Sequence, residues 1–251
     1  MLETSNASAR IVQIAFLAIA AGAWYAVTTT GNISPLLLPP MDRVWSALNT
    51  LLARGQFWPP ILITLTTIAQ AYAIAIVTGV LVAYLVTRSR FLTEVFEPVI
   101  AGVFSIPITL FFPVFILFFG IGPASKVAYG ATYGFFPIAL NTIAGLSAVD
   151  ERFLRSARSM GASSFDTFRH VLFPAAFPVI LTGLRVGFFI SFASVLGGET
   201  LSSAVGVGRN IALAAELMEP ARLYAWIVFV ILTAIVLNTI VSQIENRRRD
   251  Y

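Results

Sequence analysis

Cysteine is absent from this chain of 251 residues, and His170 is its one histidine. The first absence excludes a disulfide framework and a thiolate metal site. A single histidine argues against the usual zinc sites and against nucleophilic catalysis that depends on a histidine base. We therefore expect neither a metal site nor a catalytic residue in this chain.

Charge is also scarce, since 11% of the residues are charged and 58% are hydrophobic. Soluble domains are about one-quarter charged, so a water-soluble fold of this size could not cover so much apolar surface. The apolar runs are hydrophobic all round and show no alternation, which favours buried helices over amphipathic helices or barrel strands. The sequence predicts an all-α integral membrane protein.

Six runs are long enough to cross a bilayer, which needs about 20 mostly apolar residues per helix. The predicted spans are Ile11–Val27, Ile61–Val86, Val95–Phe119, Val127–Leu146, Ala175–Leu196 and Tyr224–Ile244. With the N-terminus inside, the inner segments hold ten basic residues and the outer segments hold five. This bias predicts that both termini are cytoplasmic.

These spans divide the chain into simple segments. We expect a cytoplasmic N-terminus over 1–10, a single transmembrane domain over 11–246 and a basic cytoplasmic tail over 247–251. The domain includes an outer segment (31–60), an inner loop (148–173) and an outer loop (197–223). The first span could also be a cleaved signal peptide, because Ala18-Ile-Ala20 matches a small-residue cleavage pattern.

The inner loop has the pattern of two short helices joined at a glycine. Arginines recur every third residue at 152, 155 and 158, which places them near one helix face. Gly161 can end this helix, and Ser163 with Asp166 fits a capping box for a second helix that we expect to end near Pro174. The loop could be a solvated connection, a DNA-binding helix-turn-helix or a docking element. The DNA reading fails because a recognition helix held against the bilayer could not enter a groove.

At this loop the chain resembles the permease subunits of bacterial ABC importers. Their pattern is E-A-A, three residues, Gly, nine residues, Ile, one residue, Leu-Pro. This chain has Arg155-Ser156-Ala157, then Gly161, then Val171-Leu172-Phe173-Pro174 at the same spacing. Arg155 and Ser156 replace the glutamate and the first alanine of the pattern.

Further stretches resemble the nitrate/sulfonate/taurine/bicarbonate subgroup of the binding-protein-dependent permeases. They are Leu37–Pro40, Phe118–Lys126, Phe135–Thr142, Val149-Asp150, Leu181–Arg185, and Glu199 followed by Gly206-Val-Gly208. The resemblance implies a type I ABC importer permease fold in a bacterial cytoplasmic (inner) membrane. It also implies a second copy of the chain, two cytoplasmic ATPase subunits and an external solute-binding protein.

The same resemblance implies that the inner loop couples the chain to the ATPase. The coupling residues would be Arg155, Ser156, Ala157, Gly161, Ala162, Ser163, Asp166 and Pro174. This chain has no Walker A pattern, so ATP and Mg²⁺ would bind to the partner and no cofactor is expected here. The expected solute is a small anion of the nitrate, sulfonate, taurine or bicarbonate type. A pyrimidine precursor of thiamine or another small organic solute is the alternative.

Polar groups inside the spans are costly in lipid and mark candidate pathway residues. The candidates for the pathway or a gate are Gln70, Asn141, Arg185 and Glu199. Arg185 could be a structural anchor or could attract an anion, and Glu199 could be a hydrated interfacial residue, a gate or a contact for the binding protein. Apolar residues at helical spacing also predict a short surface helix over 42–54.

Two other function classes fit the sequence less well. A secondary transporter would be expected to show an inverted repeat and a central acid for ion coupling, and neither is found. A membrane enzyme would need clustered His, Asp, Glu or Cys near one interface. The sequence therefore favours a transport subunit that binds neither nucleotide nor nucleic acid.

Overall fold

The computed structural model of the protein describes residues 3–31 and 33–249, the side chains of 3–10 and 240–249 excepted. Met1, Leu2, Asn32, Asp250 and Tyr251, which belong to the predicted termini and outer segment, lie outside the described residues. The helices are α1 (Glu3–Thr29), α2 (Met41–Ala53), α3 (Trp58–Val86), α4 (Arg90–Phe104), α5 (Phe112–Phe119), α6 (Pro123–Ser147), α7 (Glu151–Ser159), α8 (Ser164–Thr167), α9 (Phe173–Leu201), α10 (Val207–Glu216) and α11 (Pro220–Arg249). A 3₁₀ turn (Ile108–Phe111) precedes α5, and a π-helical turn (Phe168–Leu172) joins α8 to α9. Within these ranges all regular structure is helical, which confirms the predicted all-α class.

Four helical stretches are long and apolar enough to cross a membrane, and the number is six if each of two bent pairs counts as one crossing. The four are Ile11–Thr29, Trp58–Val86, Ser164–Leu201 and Pro220–Thr239. The bent pairs are Arg90–Phe104 with Ile108–Phe119, and Pro123–Ser147 with Glu151–Ser159. Each of the six predicted spans overlaps one of these stretches or pairs.

The span predicted over 95–119 corresponds to a bent pair of helices. The chain turns by 74° between Arg90–Phe104 and Ile108–Phe119. Pro107 causes the break, because it has no backbone N–H and forces the preceding residue out of the helical conformation. The backbone N–H of Thr109 donates instead to the hydroxyl of Tyr133 on α6, at 2.9 Å. A neighbouring helix thus satisfies the donor that the break leaves free, as the interior of a membrane protein requires.

The prediction that the second loop helix ends near Pro174 is also wrong. The helix runs on from Ser164 to Leu201 without a break. Before the proline, the backbone N–H of Phe173 donates to the carbonyl of Phe168, five residues back. This wider π turn lets the helix continue past a residue that cannot donate a hydrogen bond. The second helix of the inner loop is therefore continuous with α9.

The chain forms two compact units, Met1–Trp58 with Asn210–Val236 and Pro59–Arg209 with Leu237–Tyr251. Each is described by itself, and the single domain predicted over 11–246 stays a prediction. In the first unit, Phe57 stacks on Trp226 with ring centroids 5.1 Å apart, and both side chains are buried. The indole N–H of Trp24 donates to the carbonyl of Pro39 at 3.0 Å. The helix predicted over 42–54 is confirmed as α2, and its place on the membrane surface stays a prediction.

In the second unit, α6 and α9 pack closely where α9 carries glycine. A methyl group added at Gly187 would lie 2.5 Å from Cγ1 of Ile138, and one added at Gly183 would lie 2.5 Å from Cβ of Asn141. The hydroxyl of Ser191 crosses the same interface and donates to the carbonyl of Gly130 at 3.0 Å. Small residues let membrane helices approach this closely, and dispersion then holds them together.

We expect Gly187→Ala to destabilise the protein by about 1 to 3 kcal/mol, because the new methyl group overfills the α6–α9 contact. Gly197→Ala on the same helix is the matched control, since a Cβ there meets no described atom within 4 Å. The control should be neutral or slightly stabilising, because alanine favours helix more than glycine does. Thermal unfolding in detergent checks both variants, and equal midpoints would contradict the packing argument.

Candidate functional site

The inner loop is a hairpin of two helices with well-formed caps. At the start of α7, the Asp150 carboxylate accepts from the backbone N–H of Arg152 at 2.8 Å. At its end, Gly161 has φ +83°, and its N–H donates to the carbonyl of Arg158 while that of Ala162 donates to Ala157. These two bonds form a Schellman motif, which needs a left-handed residue at the glycine position. The predicted helix end at Gly161 is confirmed.

The second helix of the hairpin begins with the predicted capping box. The Ser163 hydroxyl accepts from the backbone N–H of Asp166 at 3.1 Å, and the Asp166 carboxylate accepts from the backbone N–H of Ser163 at 3.3 Å. The ring of Phe168 then packs edge-on against Tyr84 of α3, with centroids 5.5 Å apart. The caps and this contact fix the hairpin relative to the spans of its own unit.

The hairpin presents both charge and apolar surface. Arg155 is exposed and pairs with Glu151 at 3.6 Å, one turn earlier on α7. Phe153, Met160 and Phe165 are 63%, 87% and 66% exposed. Of the other predicted coupling residues, Ser156 and Pro174 are exposed, whereas Ala157 and Ala162 are half-buried. Exposed apolar groups of this size on a charged loop mark a surface that a partner protein or the membrane interface covers.

Gln70, one of the four candidate pathway residues, faces an open groove of about 760 Å³ in the second unit. α3, α5 and α6 form its walls. The polar lining consists of Gln70, Thr78 and Thr132, and the aromatic lining consists of Phe115, Phe119, Phe135 and Phe136. The groove is therefore mainly apolar with a few hydrogen-bonding groups, which is typical of a small-molecule site.

Asn141 and Arg185 make structural contacts instead of lining this groove. The Asn141 amide donates to the carbonyl of Pro137 at 2.8 Å, and its Cβ packs where Gly183 lacks a side chain. The Arg185 guanidinium donates to the amide oxygen of Asn238 at 2.8 Å. The geometry favours the interpretation of Arg185 as an anchor between α9 and α11.

Glu199, near the end of α9, is buried. Glu199 is only 2% exposed, which overturns its interpretation as an ordinary hydrated acid at the membrane interface. The Thr64 hydroxyl lies 2.9 Å from both carboxylate oxygens, and the backbone N–H of Gly208 donates to one of them at 2.9 Å. Thr64 in turn accepts from the backbone N–H of Val207 at 2.9 Å. We call Thr64, Glu199, Val207 and Gly208 the outer clasp.

Two glycines make room for the outer clasp. A Cβ at Gly206, whose φ is +106°, would overlap the Glu199 carboxylate. One at Gly208 would lie 2.5 Å from Cβ of Glu199. The Gly206-Val-Gly208 sequence is thus required by the close approach of α10 to the carboxylate. The clasp ties α3, α9 and the start of α10 together inside one unit.

Lys126, one of the five basic residues of the predicted outer segments, is buried. Its side chain is fully buried at the start of α6, and its ammonium donates to the carbonyl of Ile121. The ammonium also lies 5.8 Å from the ring centroid of Phe112 and interacts electrostatically with Glu199. Lys126 belongs to the Phe118–Lys126 stretch on which the family resemblance rests. A single lysine after a glycine-containing turn does not by itself indicate that its side chain is buried.

Comparison with known proteins places these features in a family context. Residues 75–250 match the family model described as the binding-protein-dependent transport system inner membrane component. The chain is 29% identical over 241 residues to the taurine transport system permease protein TauC of Escherichia coli (strain K12), covering 94% of this chain and 88% of that one. It is 27% identical over 227 residues to the riboflavin transport system permease protein RibX of Chloroflexus aurantiacus, covering 89% of this chain and 83% of that one. A crystal structure of an amino acid ABC transporter with histidines has the same fold, with a TM-score of 0.61 at 20% identity over 80% of this chain and 97% of that one.

We expect Thr64→Val to destabilise the protein by about 1 to 3 kcal/mol, because it removes one donor from the buried Glu199 carboxylate and leaves the Val207 N–H without its acceptor. Thr64→Ser keeps the hydroxyl and should retain most of the stability. Thr66→Val is the matched control, since the exposed Thr66 hydroxyl bonds only to carbonyls of its own helix. In a thermal unfolding experiment about 2 to 4 °C should be lost per kcal/mol, and equal midpoints for Thr64→Val and Thr66→Val would contradict the clasp.

Proposed function

The chain belongs to the family of binding-protein-dependent transport system inner membrane components, and we propose that two copies of it form the membrane pathway of an ATP-driven importer for a small anionic solute. As the multi-pass permease subunit of an ABC importer, it is a transport protein. We infer that ATP is hydrolysed by two separate ATPase subunits on the cytoplasmic side. The observation that carries this proposal is the capped hairpin at 150–173, which is rigidly joined to α9.

The hairpin has the properties of a docking lever. Its exposed surface combines Phe153, Met160 and Phe165 with the arginines of α7. A cleft on an ATPase that has an apolar floor and an acidic rim would suit this surface, since charge complementarity fixes register while apolar burial provides affinity. Arg155 would face such a rim in place of the glutamate common in the family. Its bond with Glu151 is exposed and therefore weak, so a partner carboxylate could replace it.

The continuity of the hairpin with α9 supports coupling. Closure of the ATPases would move the hairpin, and the unbroken helix would carry that movement into the span. The outer clasp lies at the opposite end of the same helix, so a rotation of α9 would reach the outer side of the unit. Rigid elements that pivot in this way are a common means of switching between two states.

The open groove beside Gln70 supports a second copy. One wall of this groove is missing within its unit, and its apolar lining would be poorly suited to open water. A facing copy would complete an enclosed pathway with phenylalanines on both sides. We place both termini in the cytoplasm of a bacterial cell, in its cytoplasmic membrane, and an external binding protein on the opposite side.

The solute class follows from the relatives. Transport of taurine by the Escherichia coli relative favours a sulfonate or another small anion for this chain. A second candidate is a small organic solute with an aromatic ring, which the groove favours because Phe115, Phe119, Phe135 and Phe136 line it. The riboflavin permease among the relatives fits this second class.

The proposal is tested by purifying the full chain together with candidate ATPases and a candidate binding protein in proteoliposomes. A stable complex whose ATP hydrolysis rises when the loaded binding protein is added is the expected result. A chain that transports solute without any ATPase, or that forms no complex, would instead indicate a secondary transporter or another membrane protein.

We expect Gly161→Val to abolish most of the stimulated ATP hydrolysis while the chain still inserts and assembles in the membrane. Valine is strained in the left-handed conformation that Gly161 adopts at φ +83°. Gly161→Asn is the matched control, because asparagine tolerates this conformation and should keep more than half of the stimulation. ATPase assays and solute uptake on the same vesicles check the pair; normal uptake by Gly161→Val would disprove the lever.

A further inference from the structure

A basic cleft lies in the first unit, between α2 and the start of α11. It has a volume of about 390 Å³, and its charged lining residues are Arg43, Arg54, Arg222 and Glu219. All four belong to the segments 31–60 and 197–223, which the sequence predicts to be on the outer side. Neither the predicted coupling loop nor the groove beside Gln70 contributes to it.

One face of α2 provides most of the lining. Arg43, Ser46, Thr50 and Arg54 follow one another at intervals of three or four residues, so they share a side of the helix. The opposite side carries Val44 and Leu48, which are buried in the unit. The helix therefore holds two guanidinium groups at the ends of a short polar strip.

The charge of the cleft is not balanced within the described part of the chain. Arg222 donates to the Glu219 carboxylate at 3.3 Å, in a pair that is 37% and 45% exposed. Neither Arg43 nor Arg54 makes an ion pair with any described residue. Three cations and one anion leave an excess of positive charge in a concave site, where low-dielectric walls strengthen the field.

The donors suit an oxyanion. A guanidinium group presents a planar fork of N–H groups that matches carboxylate or sulfonate oxygens. The Ser46 hydroxyl and the Gln56 amide add neutral donors to the lining. Thr50 contributes no donor, because its hydroxyl donates to the carbonyl of Ser46 at 2.8 Å.

A mainly apolar cleft of about 430 Å³ adjoins the basic one, and the two share Arg43, Ala47, Glu219 and Arg222. Its distinct lining includes Leu36, Pro39, Met218 and Pro220. Met218 is held at φ +54° by the bonds that end α10, and it is 75% exposed. A non-glycine residue in this conformation is strained, and such strain is concentrated at binding sites.

We propose that the two clefts together form a binding site for a short organic oxyanion, with its anionic head among the arginines and its alkyl body against Leu36 and Met218. The paired clefts favour an alkanesulfonate over an inorganic anion, because only an organic molecule would fill the apolar part. The inference rests on the proposed function, since the site would receive solute on the side where the binding protein docks. It thereby narrows the solute class of that proposal.

The test uses the full-length chain in lipid nanodiscs and measures the affinity for butane-1-sulfonate, methanesulfonate and sulfate by calorimetry. Butanesulfonate should bind most tightly, with roughly a two- to fourfold gain for each added methylene group. Arg43→Gln and Arg54→Gln should each weaken binding roughly tenfold. Arg90→Gln, which removes the same charge from a residue of the other unit, should leave it unchanged.

A second pair of variants tests the apolar part. Leu36→Ser should weaken the binding of butanesulfonate but not of methanesulfonate, and Leu37→Ser should affect neither, since the Leu37 side chain lines neither cleft. Equal affinities in Arg43→Gln and Arg90→Gln, or no binding of butanesulfonate at millimolar concentration, would overturn the proposal. If the arginine variants lose affinity only for the binding protein, the cleft serves protein docking and the small-ligand proposal is also overturned.

The two proposals fail separately. Binding to the permease alone needs no ATPase, whereas the importer proposal is tested by stimulated ATP hydrolysis. A chain that couples to its ATPase normally but binds no sulfonate would leave the importer intact and remove only this site. A chain that binds sulfonate without any ATPase coupling would support this site and contradict the importer proposal.

Discussion

The contact between α6 and α9 is the constraint on which the second unit depends. Burying apolar surface between two helices in lipid releases little free energy, because lipid tails are as apolar as the helix surface. The association of the helices is therefore stabilised by close dispersion contacts and interhelical hydrogen bonds. Gly183 and Gly187 allow the backbones to approach, and the Ser191 hydroxyl then reaches the carbonyl of Gly130. The hairpin begins directly after α6, and its second helix, α8, continues into α9. Its position is therefore set by this contact, and so is the orientation of any partner that binds it.

The two ends of the long helix differ in how they are held. At one end the hairpin rests on local caps and on the contact of Phe168 with Tyr84, and it exposes its apolar groups. At the other end the buried Glu199 carboxylate accepts donors from α3 and α10. From Ser164 to Leu201 the helix has 38 residues, which corresponds to a length of roughly 57 Å. An exposed surface is thus joined by one continuous helical stretch to a buried polar network.

Much of this architecture could be predicted from the sequence, because its signals are local. The helix end at Gly161 and the capping box at Ser163 follow from residue types a few positions apart. The burial of Glu199 and Lys126 could not be predicted, because their partners are far away in the chain and the same residues at a span end are usually hydrated. The continuation past Pro174 was missed because a proline normally indicates a boundary, and a π turn leaves no mark in composition. The Gly183-x₃-Gly187 spacing carries a packing signal, because small residues one turn apart let a second helix approach closely.

The π turn at 168–172 has a geometric consequence for the evolution of the docking surface. Each residue of a helix advances the chain by about 100° around its axis. A π turn holds an additional residue, so its gain or loss changes the direction in which the preceding helix α8 points. One codon at this place would re-aim Arg155 and Phe153 while every residue after Phe173 kept its neighbours. A change at this turn would therefore alter the surface that the hairpin presents without any substitution in the α6–α9 contact.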